Sequence, residues 1–259
     1  MTEVYRFSET EMLMFAMVLL RMSAFVVSWP IFGSELMTNQ VKILFALILT
    51  MVVFPTLKWH PAQIVALKGD LMLLAVREVF IGLSLGFLAR FFFFSFRVAG
   101  EMVSQAMGLS AAQTFNPALG GQTTAVEQLY TAMASLFYLG VNGHHYLISG
   151  LVKTLDVVPV AQMTLNVSQF TGVAHMLQEV VELGLKFSAP VVISILVVNL
   201  ILGVVGKTVP QLNVLVTSFP INIMIGFVLM IVTMPMLMDH MTDFLNSSTE
   251  TVFNFVKSF

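Results

Sequence analysis

Between Lys207 and Asp239 the chain carries no charged residue, and most of the stretch is Val, Leu, Ile, Met or Phe. So long a run without charge cannot sit on a water-facing surface, and it exceeds what one buried core helix needs. Further apolar runs cover Met12–Trp29, Val41–Leu57 and Leu71–Met107. Hydrophobic residues make up 58% of the chain and charged residues 10%, against roughly 45–50% and about 25% in soluble domains. Too few charges remain to clothe a core, so the chain reads as an integral membrane protein. The runs are too long for barrel strands and do not alternate with period two. The expected class is therefore all-α, built from long kinked helices and helical hairpins.

Composition also removes whole function classes. The formal net charge of -2 offers nothing to nucleic acid. The absence of cysteine excludes disulfides, thiol chemistry and Cys-ligated metal. The start, MTEVYRFSETEM, places Glu3, Glu9 and Glu11 where a signal peptide needs a basic segment, so insertion is expected to use an internal segment. Methionine (19) and phenylalanine (23) are frequent. Ordinary apolar filling accounts for them; a deformable surface at a gate or subunit contact is the sharper reading.

Taken in order, the first apolar segment contains Arg21 and ends at Pro30 and Gly33. Thr38 or Asn39 is placed to cap the second. Leu71–Met107 is the longest helical candidate, with Arg77, Glu78, Arg90, Arg97 and Glu101 along it. At 1.5 Å per residue it would reach about 55 Å, beyond a bilayer core of about 30 Å, so it must break, tilt steeply or project beyond the lipid. Val126–Val141 precedes Asn142-Gly143-His144-His145, and 160–171 is a polar connector. The remainder reads as one hairpin: an arm from about Val173 to Val205 containing Pro190, a bend at Lys207, Pro210, Gln211 and Asn213, and an arm from about Leu215 to Met238 containing Pro220 and Pro235. A mixed tail, Asp239–Phe259, follows.

One segment departs from this pattern. Gly108–Thr124, GLSAAQTFNPALGGQTT, is polar, uncharged and broken by Gly108, Pro117, Gly120 and Gly121. Irregular backbone at membrane depth survives only when buried in protein or lining a watery cavity. The segment is expected to line or block a passage.

Reactive chemistry is not apparent. Arg77 and Glu78 are adjacent and point apart on a helix, whereas Arg97 and Glu101 are spaced i,i+4 and can pair. Such charges are expensive in lipid unless paired or wet, and salt bridges that fix assembly are the plain reading. His144 and His145 diverge too far on a regular helix to hold one ion, and no HExxH pattern exists. A turn whose imidazoles bond to backbone is expected instead, with no metal. No GxSxG, Walker or dinucleotide motif occurs, so no enzyme activity and no cofactor are expected. Gly82 and Gly86 have the GxxxG spacing that permits close helix approach in lipid.

In combination these motifs are recognisable. Arg21 with Pro30-Ile31-Phe32-Gly33, Arg77-Glu78 with Gly82 and Gly86, Ala99-Gly100-Glu101 with Gln105 and Gly108, Asn142-Gly143-His144-His145, Ala189-Pro190, Pro210-Gln211 with Asn213, and Phe219-Pro220 follow in order along nearly the whole chain. The chain resembles the FliR family of flagellar export-gate proteins and its counterparts in type III secretion systems. It departs from that pattern at Lys207, where an Arg is common, at Asn222, where a Lys often stands, and at Asn116, which replaces the usual acid before Pro117.

The resemblance implies a non-enzymatic subunit. In this family one such chain assembles with several copies of FliP-type and FliQ-type chains, alongside the FlhB-type export switch protein. Together they form a pore that passes unfolded flagellar proteins across the bacterial inner membrane, at the flagellum basal body. It also implies a FliP-like part, 1–170, containing the central loop, fused to a FliQ-like hairpin and tail, 171–259. The loop becomes a plug, formed by Phe115, Asn116, Pro117 and Leu119 with Gly108, Gly120 and Gly121 as hinges. Met102 and Met107 are candidates for a deformable gasket. Arg77, Glu78, Gly82, Gly86, Arg97, Glu101, Pro210, Gln211 and Asn213 are the expected assembly residues. The alternative from another class is a secondary transporter for a small solute. Its signature, an inverted repeat around a midplane site, is not convincingly present.

Overall fold

A computed structural model describes residues 8–31, 37–57, 71–110, 123–158, 170–209, 211 and 213–256. The described residues form helices α1 (Glu9–Ser28), α2 (Asn39–Val53, followed by a 3-10 turn, Phe54–Thr56), α3 (Leu71–Ala106), α4 (Ala125–Gly140), α5 (Gly143–Val157), α6 (Phe170–Thr208) and α7 (Val214–Val256). No strand occurs among them. Among the described residues five helical segments are long and apolar enough to cross a membrane: α1, α2 with its 3-10 turn, α3, and the segments Ala174–Thr208 of α6 and Val216–Asp243 of α7.

The helix ends follow local chemistry. Ser8 begins α1 with a capping box: its hydroxyl accepts from Glu11 N at 3.2 Å, and its own N–H donates to Glu11 Oε2 at 2.8 Å. The acidic start thus serves a helix terminus. Thr38 occupies the N-cap of α2 without a side-chain bond.

Three sequence expectations need correction. α3 runs unbroken over 36 residues, which of the three alternatives leaves a steep tilt or projection beyond the lipid; Leu71–Met107, the longest helical candidate by sequence, is not the longest helix. That is α7, with 43 residues, followed by α6, with 39. Nor does the second hairpin arm end near Met238: α7 continues through the mixed tail to Val256. Lys207, assigned to the bend, sits in the last turn of α6, where a cation suits the helix C-terminus. The prolines Pro190, Pro220 and Pro235 lie inside these two helices. Each leaves the carbonyl four residues earlier without its helical donor.

The chain gathers into two compact units. One comprises Met1–Phe91, Asn142–Met176 and Ser247–Phe259; the other comprises Phe92–Val141 and Leu177–Asn246. These units are sets of residues in contact, a different property from the kinship expected of 1–170 and 171–259.

In the first unit α1 packs on α2, with Phe15 edge-on to Phe54 at 5.4 Å. Trp29, fully buried, lies 5.0 Å from Phe25 and 6.4 Å from Phe45. Gly82 and Gly86 bring α3 against α1: a β-carbon at Gly82 would strike Arg21 O, and one at Gly86 would strike the Ser28 hydroxyl. Arg90 then donates to Ser28 O at 2.7 Å, satisfying a carbonyl at the end of α1.

In the second unit Phe96 stacks on Phe187 at 5.1 Å, and Tyr138 meets Phe92 and Phe93 at 6.0 and 5.5 Å. Gly184 brings α6 against Val98 and Ser95 O of α3. Gly100 brings α4 against α3, where an added β-carbon would lie 2.7 Å from Glu127 Cα.

Candidate functional site

The central loop is defined by its two ends. At its start Gly108 adopts φ +81, Gly108 N donates to Gln105 O at 3.0 Å, and Leu109 N donates to Ser104 O at 3.0 Å. This is a Schellman ending, which needs a left-handed residue and so a glycine. Gly108, expected as a hinge, stands at the left-handed corner of this ending. At the far end the Thr124 hydroxyl accepts from Glu127 N at 3.2 Å and caps α4. Gln128 Nε2 adds bonds to Thr123 Oγ1 at 3.1 Å and Thr123 O at 3.3 Å. Phe115, Asn116, Pro117, Leu119, Gly120 and Gly121 lie outside the described residues.

The helices that carry these ends meet near the loop. Besides the close approach at Gly100, Arg97 Nε donates to Glu127 Oε1 at 3.0 Å. The i,i+4 partner expected for Arg97 is thus replaced: Glu101 accepts from Gln105 Nε2 at 3.2 Å. Glu127 wins because it stands across a glycine contact, where α4 comes close enough to reach.

The root of the loop is held by α7. Met107 is fully buried, and its side chain lies where a β-carbon on Gly226 would be. A β-carbon on Gly108 would lie 2.5 Å from Phe219 Cε1. Burial inside the chain removes Met107 from any surface gasket. Met102 is half-buried, and its sulfur accepts from the Ser188 hydroxyl at 3.4 Å.

The residues assigned to assembly divide. Glu78 is buried with the fully buried Arg21, Arg21 Nε donating to Glu78 Oε2 at 2.6 Å. Arg21 Nη1 donates to Thr154 Oγ1 at 3.2 Å, and Nη2 to Val158 O at 3.1 Å. The pair joins α1, α3 and the end of α5 within one chain. Gly82 and Gly86 likewise serve a contact inside the chain. Arg77, diverging from Glu78, is half-buried. Asn213 caps α7, its Oδ1 3.4 Å from Val216 N. Gln211 is exposed, and Pro210 lies outside the described residues.

Asn142 takes a left-handed φ of 58 just before α5, and the His144 and His145 rings lie 4.2 Å apart. His144 Nδ1 is buried without a partner among the described residues, so the expected imidazole-to-backbone bond is not made there. Desolvation, and then the neighbouring His145 charge, lower the His144 pKa. Among the described residues no three His, Asp or Glu side chains gather as a metal site would need.

Sequence reading missed the Thr124 cap, the Gly100 contact and the seat on α7. The first had a signal, Thr124-x-x-Glu127, a capping pattern. The last had none, because Phe219 and Gly226 look like any apolar helix positions.

Long apolar helices with exposed apolar faces define a helical membrane protein, and the loop between α3 and α4 is its irregular feature. Residues 12–248 match the family described as bacterial export proteins, family 1, and the chain belongs to that family. It is 33% identical over 243 residues to the flagellar biosynthetic protein FliR of Bacillus subtilis (strain 168), covering 93% of each chain. To the FliR of Escherichia coli (strain K12) it is 33% identical over 220 residues, covering 85% of this chain and 83% of the relative. To that of Aquifex aeolicus (strain VF5) it is 25% identical over 239 residues, 92% of each.

Proposed function

We propose that the chain is a non-enzymatic subunit of the flagellar type III export gate in the bacterial inner membrane, at the flagellum basal body. With FliP-type and FliQ-type subunits it forms the pore that passes unfolded flagellar proteins, and it works beside the FlhB-type switch protein. The kinship with FliR over 93% of the chain carries this reading. In it, residues 1–170 are FliP-like and 171–259 FliQ-like. The apolar faces of α6 and α7 support a partner-covered hairpin: Ile193, Leu196, Leu200, Ile201, Met224 and Ile231 are all exposed in the isolated chain.

The central loop is the plug. Its sequence is uncharged from Met102 to Val126, and its ends are held by Gly108 and Thr124. An uncharged closure suits a passage for many sequences, because a charged ring would retain chains of opposite sign and repel the rest. Deleting residues 109–121 should raise the ion permeability of membranes containing the assembled gate while leaving assembly intact. Normal assembly with unchanged permeability would remove the plug from the proposal.

A further inference from the structure

We propose that Phe219, Asn222 and Gly226 of α7 form a seat that positions the root of the central loop, and that this seat must release during export. The inference rests on the plug reading and adds to it the residues that hold the loop in place.

The three positions are spaced i, i+3 and i+7 and therefore share one face of α7. The outer two receive consecutive loop-root residues. Phe219 lies against Gly108, and Gly226 makes room for Met107. Any side chain at Gly226 would overlap the Met107 Sδ–Cε end, and any at Gly108 would meet the Phe219 ring. The middle position, Asn222, is buried; its Nδ2 donates to Asn199 Oδ1 on α6 at 3.0 Å, while its own Oδ1 has no partner among the described residues. One face of α7 thus touches the loop root at two points and the other hairpin arm at a third.

The start of α7 has one gap in its helical bonding, at Pro220. Pro220 supplies no N–H, so the Val216 carbonyl lacks its helical donor. The first turn keeps a long cap bond of 3.4 Å from Val216 N to Asn213 Oδ1, and Thr217 N and Oγ1 both donate to Asn213 O at 3.0 Å. The loop side is the opposite. Its Schellman bonds make Met107–Leu109 a rigid corner. When the root moves, separation is therefore easier at the Met107–Gly226 and Gly108–Phe219 contacts than by unwinding the corner.

The chain has no cysteine, so a cysteine pair reports on this contact alone. A β-carbon on Gly226 would lie 2.9 Å from Met107 Cγ. One bond back, the two β-carbons are at most about 4.4 Å apart, within disulfide reach. The double variant Met107→Cys/Gly226→Cys, in cells with the complete export apparatus, should cross-link on oxidation. Secretion of flagellar substrates should then fall at least tenfold, and reductant should return it to the level of the single-cysteine controls. Failure to cross-link, or undiminished secretion while cross-linked, overturns the seat.

If the reduced double variant does not secrete, Phe219→Ala decides. An assembled gate with raised resting ion permeability supports the seat, and wild-type permeability overturns it. The loop deletion separates the two ideas. Leakage after deletion together with secretion in the cross-linked state sinks the seat alone. No leakage after deletion sinks the plug beneath it.

Discussion

The two compact units bury different kinds of contact. In the unit containing α1 and the first half of α3, helices meet around a charge: Arg21 reaches Glu78, Thr154 and Val158 with three of its nitrogens. Glycine contacts and ring pairs occur in both units, but in the one containing α4 and most of the hairpin (Gly100, Gly184, Gly226, Phe96 on Phe187, Met107) no fully buried ion pair joins them among the described residues. A buried ion pair stabilises only while both partners and their hydrogen bonds are in place, since its desolvation has already been incurred. Dispersion contacts are many and individually small, so they degrade gradually. The difference predicts a larger loss when one partner is removed from the buried pair of the first unit than when a single contact is altered in the second, which holds the described ends of the loop.

The strongest way to break this comparison is Glu78→Ala. It leaves the Arg21 guanidinium buried without its carboxylate, which should destabilise the chain by about 3–5 kcal/mol. The effect should appear as lost protein in membranes and as a lower unfolding midpoint in detergent. Removing the cation as well, in Arg21→Met/Glu78→Ala, should recover part of the loss. A loss in the double variant equal to the sum of the Glu78→Ala and Arg21→Met losses would show that the pair is not coupled.

Glycine substitutions come next and compare the units directly. At Gly82 the obstacle to a side chain is backbone, Arg21 O and Phe25 N. At Gly184 the nearest obstacle is the Val98 side chain, Cγ1 at 2.7 Å and Cβ at 3.0 Å, with backbone (Ser95 O) only at 3.3 Å, a milder overlap than that with Arg21 O. Gly82→Leu should therefore cost about 3 kcal/mol and Gly184→Leu about 1–2 kcal/mol, within the usual range for overpacking. Thermal unfolding of the two purified variants checks the order, and equal losses would remove the distinction between a backbone and a side-chain obstacle.

Much of this was legible beforehand. The helical class, the membrane-length segments, the hairpin and the limits of the central loop follow from apolar runs punctuated by Gly, Pro and capping residues. The GxxxG spacing marked a close approach correctly, because Gly82 and Gly86 do admit a neighbouring helix. What pattern could not supply was the neighbour. It turned out to be α1 of the same chain, and Arg21, 57 residues from Glu78, has no periodic relation to its partner. Helix ends were misjudged where composition changed without a stop signal. No Gly or Pro interrupts the chain between Asp239 and Val256, so α7 continues. The seat was invisible for a related reason: a residue's exposure is set by what packs on it, and an apolar helix offers several equivalent faces.

The smallest expected effect tests that lesson at Arg97. Spacing alone pairs it with Glu101; the fold pairs it with Glu127. Arg97 is 51% exposed and Glu127 12%, so screening limits the pair to about 0.2–1 kcal/mol. Glu127 also lies in the first turn of α4, where the helix N-terminus favours a carboxylate even without the arginine. A double-mutant cycle of Arg97→Ala with Glu127→Gln should show that small coupling, and one with Glu101→Gln should show none. The reverse result would mean that α4 does not stand close to Arg97. The Gly100 contact that brings it there would then have to be withdrawn, because an arginine at this position can reach Glu127 only if the two helices meet at the glycine.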